Sequence, residues 1–257
     1  MPRILFCDID DTMTTRGLLP RETFDALWNA RDAGLRIVPV TGRPAGWCDM
    51  IARQWPVDGV IGENGAFYFR KIDSKIVRVY AQTAEERAKN RIRINELRSK
   101  IPLLVPGCAI ASDQDYREID LAIDYCESVP RLPPNQVRRI VDLFRQAGAT
   151  AKVSSIHVNG WFGSFDKCSM TLRYILESTG HPYSIASQNY TFVGDSPNDE
   201  PMFKLFPNAY AVANIKPFLP QLRFPPKTIL SKEGGAGFAE LVNLLCRENP
   251  PSPNIRL

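Results

Sequence analysis

"ILFCDIDDTMTT", residues 4–15, sets the problem that the rest of the sequence has to solve. Apolar and small residues run straight into Asp8, Asp10 and Asp11. Like charges this close repel, and taking a carboxylate out of water is expensive. A buried strand that ends in such a cluster needs something positive beside it. "RILFCDI" reads as that strand. "PRETFDALWNARDAG" follows as a helix, with Phe24, Leu27 and Ala30 at apolar positions and Gly34 as its stop. "LRIVPVTG" is a second buried strand, and "PAGWCDMIARQWP" a helix with Pro44 in its first turn. "DGVIGENGAFYF" is a further strand and turn. This alternation predicts a parallel α/β sheet.

The pattern then changes. Residues 68–80 alternate as a hairpin does, and a long charged helix fills 83–101. "GCAIASDQDYREIDLAIDYC" offers short strands around a polar loop, "PPNQVRRIVDLFRQAG" an amphipathic helix, and "TAKVSSIHVNGWF" a strand pair. This is α+β patterning inside an α/β frame. The frame resumes with a helix at 169–179, the strand "YTFVGD", a helix at 199–206, the strand "NAYAVA" and a helix near 237–246. No repeat or low-complexity tract is visible.

Bulk properties exclude several classes. The chain has 257 residues, 44% hydrophobic and 23% charged, with a net charge of +4. That balance is ordinary for a soluble protein and too mild to suggest nucleic acid. The densest charged stretch, "EERAKNRIRINELRSK" at 85–100, mixes both signs and reads as a solvated helix face. Six cysteines without a CxxC, and two histidines, point to reduced thiols in a cytoplasmic protein without structural zinc. The N-terminal apolar run is too short for a signal peptide. No run approaches the ~18 residues of a membrane span. The tail "ENPPSPNIRL" reads as loose. A monomer or homodimer is expected.

Strands of an open parallel sheet end at a crevice where ligands bind. Three strand ends here are polar: "DIDDT", "VTGR" with Thr41, and "FVGDSPND" with Asp195 and Asp199. "SFDKCSM" adds Lys167 at the start of a helix. Carboxylates gathered without histidine or cysteine suit a hard cation such as Mg2+. Such an ion would neutralise the acid cluster. A phosphate is then the natural guest, held by a hydroxyl, a lysine and backbone N–H groups. One aspartate could attack phosphorus, and a second, two residues on, could move a proton.

Taken in order, "DIDDT", "VTGR", Lys167 and "GDSPND" resemble the four motifs of the haloacid dehalogenase superfamily of phosphatases. The resemblance covers most of the chain, including "GGAGFAELVNLL". It implies that Asp8 is the nucleophile and Asp10 the general acid/base. It implies that Thr41 holds the transferring phosphoryl and that Lys167 offsets charge. Asp195 would bind Mg2+ with Asp8 and the Asp10 carbonyl, and Asp199 would steady the metal shell. Gly42, Arg43 and Asn198 would contact the phosphate ester; Thr12 and Ser196 read as turn and capping residues.

The 126-residue gap from Thr41 to Lys167 is too long for a connection and must hold a domain. In this superfamily an α+β cap inserted there, with "IGENGA" after the second motif, marks a branch. That branch includes sucrose-phosphate, trehalose-phosphate and mannosyl-3-phosphoglycerate phosphatases, and phosphomannomutases. The implied organisation is a Rossmann-like core at 1–80 and 164–257 and a cap at 81–163. Cys168 stands where relatives often carry glycine. A mutase is disfavoured because Asp11 occupies a position where mutases favour glycine; a non-catalytic phosphosugar-binding module is the other alternative.

Selectivity must come from the cap. Its polar loop offers Asp115, Arg117, Glu118 and Asp120, and its last strand offers His157 and Asn159 on one face. Asn64, in "ENGA", lies beside the crevice. Arg117, His157 and Asn64 are therefore expected to bind substrate. Carboxylates, an amide and an imidazole suit hydroxyl groups, and no aromatic cluster offers to stack a base. The expected partner is a small phosphate ester of a sugar or sugar acid.

Overall fold

In the computed structural model, which describes residues 3–154 and 156–247, the first units are β1 (Ile4–Cys7), α1 (Arg21–Asp32), β2 (Arg36–Pro39) and α2 (Ala45–Gln54). All four β1 side chains are buried, alternately on two faces: Leu5 and Cys7 in one core cluster, Ile4 and Phe6 in another. α1 buries Thr23, Ala26, Leu27 and Ala30, the spacing of a single helical stripe. Then come β3 (Val60–Gly62), β4 (Phe67–Ile72) and β5 (Lys75–Tyr80). The third strand departs from expectation. β3 touches the parallel sheet through one bridge, Val40 to Ile61, and otherwise pairs antiparallel with β4. A tight turn at Glu63–Gly65 reverses the chain there.

The inserted layer contains α3 (Ala84–Leu104), β6 (Ala109–Ile110), β7 (Leu121–Asp124), α4 (Pro134–Gln146), β8 (Thr150–Val153) and β9 (His157–Trp161). Thr83 and Glu86 close a capping box that starts α3. The four strands form an antiparallel sheet in the order β6-β7-β9-β8. α3 and α4 pack on it through Ile94, Leu97, Ile140 and Phe144. The chain then returns with α5 (Lys167–Thr179), α6 (Tyr183–Ala186), β10 (Tyr190–Gly194), α7 (Glu200–Leu205), β11 (Asn208–Ala211), β12 (Thr228–Ile229) and α8 (Gly234–Arg247). α5 begins two residues earlier than its sequence pattern suggested, because Asp166 and Ser169 form a capping box. The short α6 and β12 gave no periodic signal to read.

The architecture is thus a parallel α/β core with an α+β insertion. The core sheet runs β12-β11-β10-β1-β2, all parallel. α1 and α8 cover one face, and α5 and α7 the other. From β1 the chain steps to β2 on one side and later returns to β10 on the other. That reversal opens a crevice beyond the C-terminal ends of β1 and β10. Among the described residues no helix is long and apolar enough to cross a membrane, and no two cysteines form a disulfide. The tail at 248–257, expected to be loose, lies outside the described residues.

Gly160 in β9 lies directly under the Phe144 ring, where a Cβ would overlap it. Close approach of this kind is what a glycine inside a strand marks. Gly160→Ala should therefore destabilise the protein by about 1–3 kcal/mol through overpacking. Chemical unfolding would measure this; a wild-type midpoint would contradict the packing described.

Candidate active site

Neighbouring strand ends bring the acids together. The Asp8 N–H donates to the Val193 carbonyl at 3.0 Å, so the chain after β1 continues alongside β10 toward Asp195. Asp8, Asp195 and Asp199 present carboxylate oxygens within 4.8 Å of one another. Lys167, the first residue of α5, donates to Asp8 Oδ1 at 2.7 Å and to Asp199 Oδ1 at 3.2 Å. Asp199 Oδ2 accepts the Asp195 N–H at 3.1 Å, and Thr12 donates to Asp195 Oδ1 at 3.4 Å. The lysine start is held by contact with the turn before β4. Gly65, at φ +101°, packs so tightly on Asp166 and the Lys167 nitrogen that no Cβ would fit. Cys168 is accommodated within α5, its Sγ 3.4 Å from Met202 Sδ.

The electrostatics need a further cation. Burial pushes Asp8 up to about 7; Lys167 opposes the shift, and Asp199 and Asp10 add to it. Burial likewise pushes Asp195 up to about 9, reinforced by Asp199, Asp8 and Asp11. Burial works against the charge on Lys167, but Asp8 and Asp199 more than offset it and hold the ammonium protonated. One ammonium cannot balance three gathered carboxylates. The donor set, all carboxylate oxygen, fits a hard divalent ion.

The other expected residues take distinct places. The Asp10 carboxylate stands outside that cluster and is gripped by Arg43, through Nε at 3.0 Å and Nη2 at 2.6 Å. Arg43 in turn lies over the Trp47 ring. Thr41 is fully buried, beneath the Gly42–Arg43 wall of the cleft; its oxygen accepts the Arg43 N–H at 3.0 Å. Asn198 and Asn64 line the same cleft, a space of about 510 Å³. Asn64 is also a turn residue, at φ +59°.

The cap side is built from Arg117, His157 and Asn159, all buried and all facing this cleft. Each is already engaged. Arg117 binds both oxygens of Asp113, at 3.0 and 2.9 Å, Asp120 at 2.9 Å and the Gly42 carbonyl at 3.0 Å. It forms an ion-paired strut from cap to core rather than a free substrate ligand. His157 Nε2 meets Glu127 Oε2 at 2.9 Å, and Asn159 donates to Asp120 at 3.0 Å. Asp124 lies beside His157 and Glu127, but its carboxylate accepts the N–H groups of Cys126, Glu127 and Ser128. It is a loop clamp. Asp115 is exposed and paired with Arg98, and Glu118 accepts from Tyr80, both away from the cleft.

Sequence reading passed over Glu63 and Lys152. Glu63 is fully buried, at φ +42°, and accepts four backbone N–H groups. One is Ala45 at 3.0 Å, at the start of α2; the others are Glu118, Ile119 and Asp120 at 2.7–2.9 Å, in the cap loop. Burial pushes it up to about 7, Asp120 adds to this, and Arg117 and the N–H groups oppose it. Its place in "GENGA" was the available signal. Lys152, in β8, lines the cleft across from Lys167; its position in an alternating strand was its only mark.

Comparison with known proteins agrees with this layout. Residues 5–105 match the family model described as haloacid dehalogenase-like hydrolase. No curated protein matches in sequence. Among solved structures, a Thermoplasma acidophilum protein superposes with a TM-score of 0.71 at 18% identity, covering 95% of this chain and 98% of that one. A haloacid dehalogenase-like hydrolase from Bacteroides thetaiotaomicron gives 0.68 at 14% identity, covering 95% and 100%. The sucrose-phosphatase of Synechocystis, solved with sucrose and phosphate, gives 0.66 at 13% identity, covering 95% and 97%. The N-terminal portion therefore matches this family's model, and the fold is shared along the chain.

Glu63→Ala would orphan four buried N–H groups, each worth about 1–3 kcal/mol when left unsatisfied. A large loss of stability is expected, along with faster hydrogen exchange at 118–120. If unfolding and exchange both match wild type, Glu63 does not tie cap to core.

Proposed function

We propose that this chain, whose fold and residues 5–105 are those of a haloacid dehalogenase-like hydrolase, is a Mg2+-dependent phosphomonoesterase acting on a sugar phosphate. The observation that carries the reading is Lys167 bridging Asp8 and Asp199 beside Asp195, at the sheet's switch point. Asp8 lines the cleft and meets Lys167 through its Oδ1, so its carboxylate suits attack on phosphorus. The P–O bond to the sugar breaks as the Asp8–phosphorus bond forms. Asp10, protonated from solvent once it has parted from Arg43, gives that proton to the leaving oxygen. Water then attacks the aspartyl-phosphate, Asp10 takes the water proton, and inorganic phosphate leaves with Asp8 restored.

Other residues set the conditions for those steps. Lys167 balances negative charge on Asp8 and the phosphoryl oxygens. Thr41 uses its oxygen as an acceptor, and among the described residues its O–H meets no acceptor, so it is free to donate to a phosphoryl oxygen. Asp10 must exchange Arg43 for the leaving group, and Arg43 is then released toward the phosphate. Mg2+, held by Asp8, Asp195 and the Asp10 carbonyl with Asp199 behind them, would supply the charge that the acid cluster lacks. The cap, proposed as residues 81–163, covers this chemistry and limits the water that reaches it to what hydrolysis uses.

The sugar assignment rests on the polar cap wall and on the similarity to sucrose-phosphatase. Six cysteines without a disulfide among them support a cytoplasmic location.

Asp8→Asn should remove nearly all phosphatase turnover, because an amide does not attack phosphorus; wild-type rates in that variant would end the aspartyl-phosphate reading. Stripping metal with EDTA should silence the enzyme, and Mg2+ should restore it. Turnover that survives chelation would remove the ion from the account.

A further inference from the structure

Among the described residues that line the cleft, Lys152 is the cation without a hydrogen-bond or ion-pair partner. In β8 it pairs across the ladder with Asn159 of β9, so the two share one face of the cap sheet. His157, two residues along β9, lies on that same face. This face looks into the cleft that holds Asp8 and Lys167. Its other polar groups already have partners: Asn159 on Asp120, His157 on Glu127, Arg117 on Asp113 and Asp120. Among the described residues Lys152 makes no hydrogen bond and no ion pair.

Its surroundings disfavour a lone cation. Lys152 is half-buried, and burial lowers its pKa; Lys167 lowers it further, while Asp199 works the other way. The core site is thus within electrostatic reach of its ammonium. A half-buried ammonium facing a second ammonium calls for an anion between or beside them. The transferring phosphoryl has Lys167 below it, and the cleft, at about 510 Å³, leaves room for a sugar-sized leaving group on the cap side.

We infer that Lys152 binds a second anionic group on the leaving group, so that the preferred substrates are phosphate esters of acidic sugars rather than of neutral ones. This deepens the phosphatase reading and rests on it. The anion is a carboxylate or a second phosphate. Hydrogen bonds to charged groups are strong enough to change selectivity by about tenfold or more.

Matched esters test it. Glucose 1-phosphate, glucuronate 1-phosphate and glucose 1,6-bisphosphate differ only at C6. Glycerol 3-phosphate and 3-phosphoglycerate form a shorter pair. Wild-type kcat/KM should favour an acidic member over its neutral partner by about tenfold or more, and which acidic member wins tells carboxylate from phosphate. In Lys152→Gln that preference should collapse toward one, and Lys152→Arg should retain it. The preference ratio is internal to each protein, so partial loss of folded enzyme does not change it. No acid preference in wild type, or a preference that survives in Lys152→Gln, overturns the inference and leaves the phosphatase standing. An equal fall on every ester in Lys152→Gln also overturns it, since the lysine would then serve the transferred phosphoryl. Failure to hydrolyse any of these esters or p-nitrophenyl phosphate would sink the phosphatase reading and this inference with it.

Discussion

The ammonium of Lys167, held between Asp8 and Asp199, is the contact on which the site depends. A buried carboxylate left alone neutralises or disrupts its surroundings. Here two strand ends deliver three of them to one spot, and the lysine from the far side of the insertion makes the arrangement tolerable. Removing one partner from such a network leaves uncompensated charge in the interior. The network also fixes geometry. Lys167 is placed by the Asp166–Ser169 capping box and by the close approach of Gly65. Asp199 is placed by the Asp195 N–H. The catalytic candidates are thus oriented by backbone elements rather than by loops alone.

A second buried carboxylate performs the corresponding task between layers. Glu63 sits in a left-handed turn of three successive positive-φ residues, two of them not glycine. Such backbone carries strain of order 1–3 kcal/mol per residue and persists where the surroundings over-determine it. Four N–H donors and the Arg117 strut do so here. The strained turn is therefore the joint at which the core reads the position of the cap loop. It lies next to Asn64 and Gly42 in the cleft wall, so the cap loop is tied to that wall.

Much of the core was legible because its signals are local. β1 and β10 are continuous apolar runs that end in aspartates, and α1 keeps its stripe of Thr23, Ala26, Leu27 and Ala30. The insertion was legible as patterning, since its helices and strands have clear periods. What escaped depends on partners distant in sequence. β3 reads as one more parallel strand until the turn at 63–65 folds β4 back on it. Arg117 reads as a loop residue open to substrate because nothing in the sequence announces that Asp113, Asp120 and the distant Gly42 carbonyl converge on it. Glu63 reads as a turn residue because its acceptors' partners lie 18 and 55–57 positions away.

The two sides of the cleft differ in the kind of charge they leave open. On the core side every cation faces an anion: Lys167 faces Asp8 and Asp199, and Arg43 faces Asp10. In the proposed reaction those pairs would loosen, since a phosphoryl group would compete with Asp10 for Arg43 and with Asp199 for Lys167. On that reading the core serves the group every substrate shares. On the cap side Arg117 is closed in a buried pair with Asp120, and His157 is bonded to the exposed Glu127; both contacts hold shape. Breaking the Arg117–Asp120 pair to bind a sugar hydroxyl would leave charge stranded in the interior. Recognition on that side therefore falls to groups whose hydrogen bonds are not already made. Lys152 is such a group, and an anion on the leaving group would pair with it more strongly than a neutral hydroxyl.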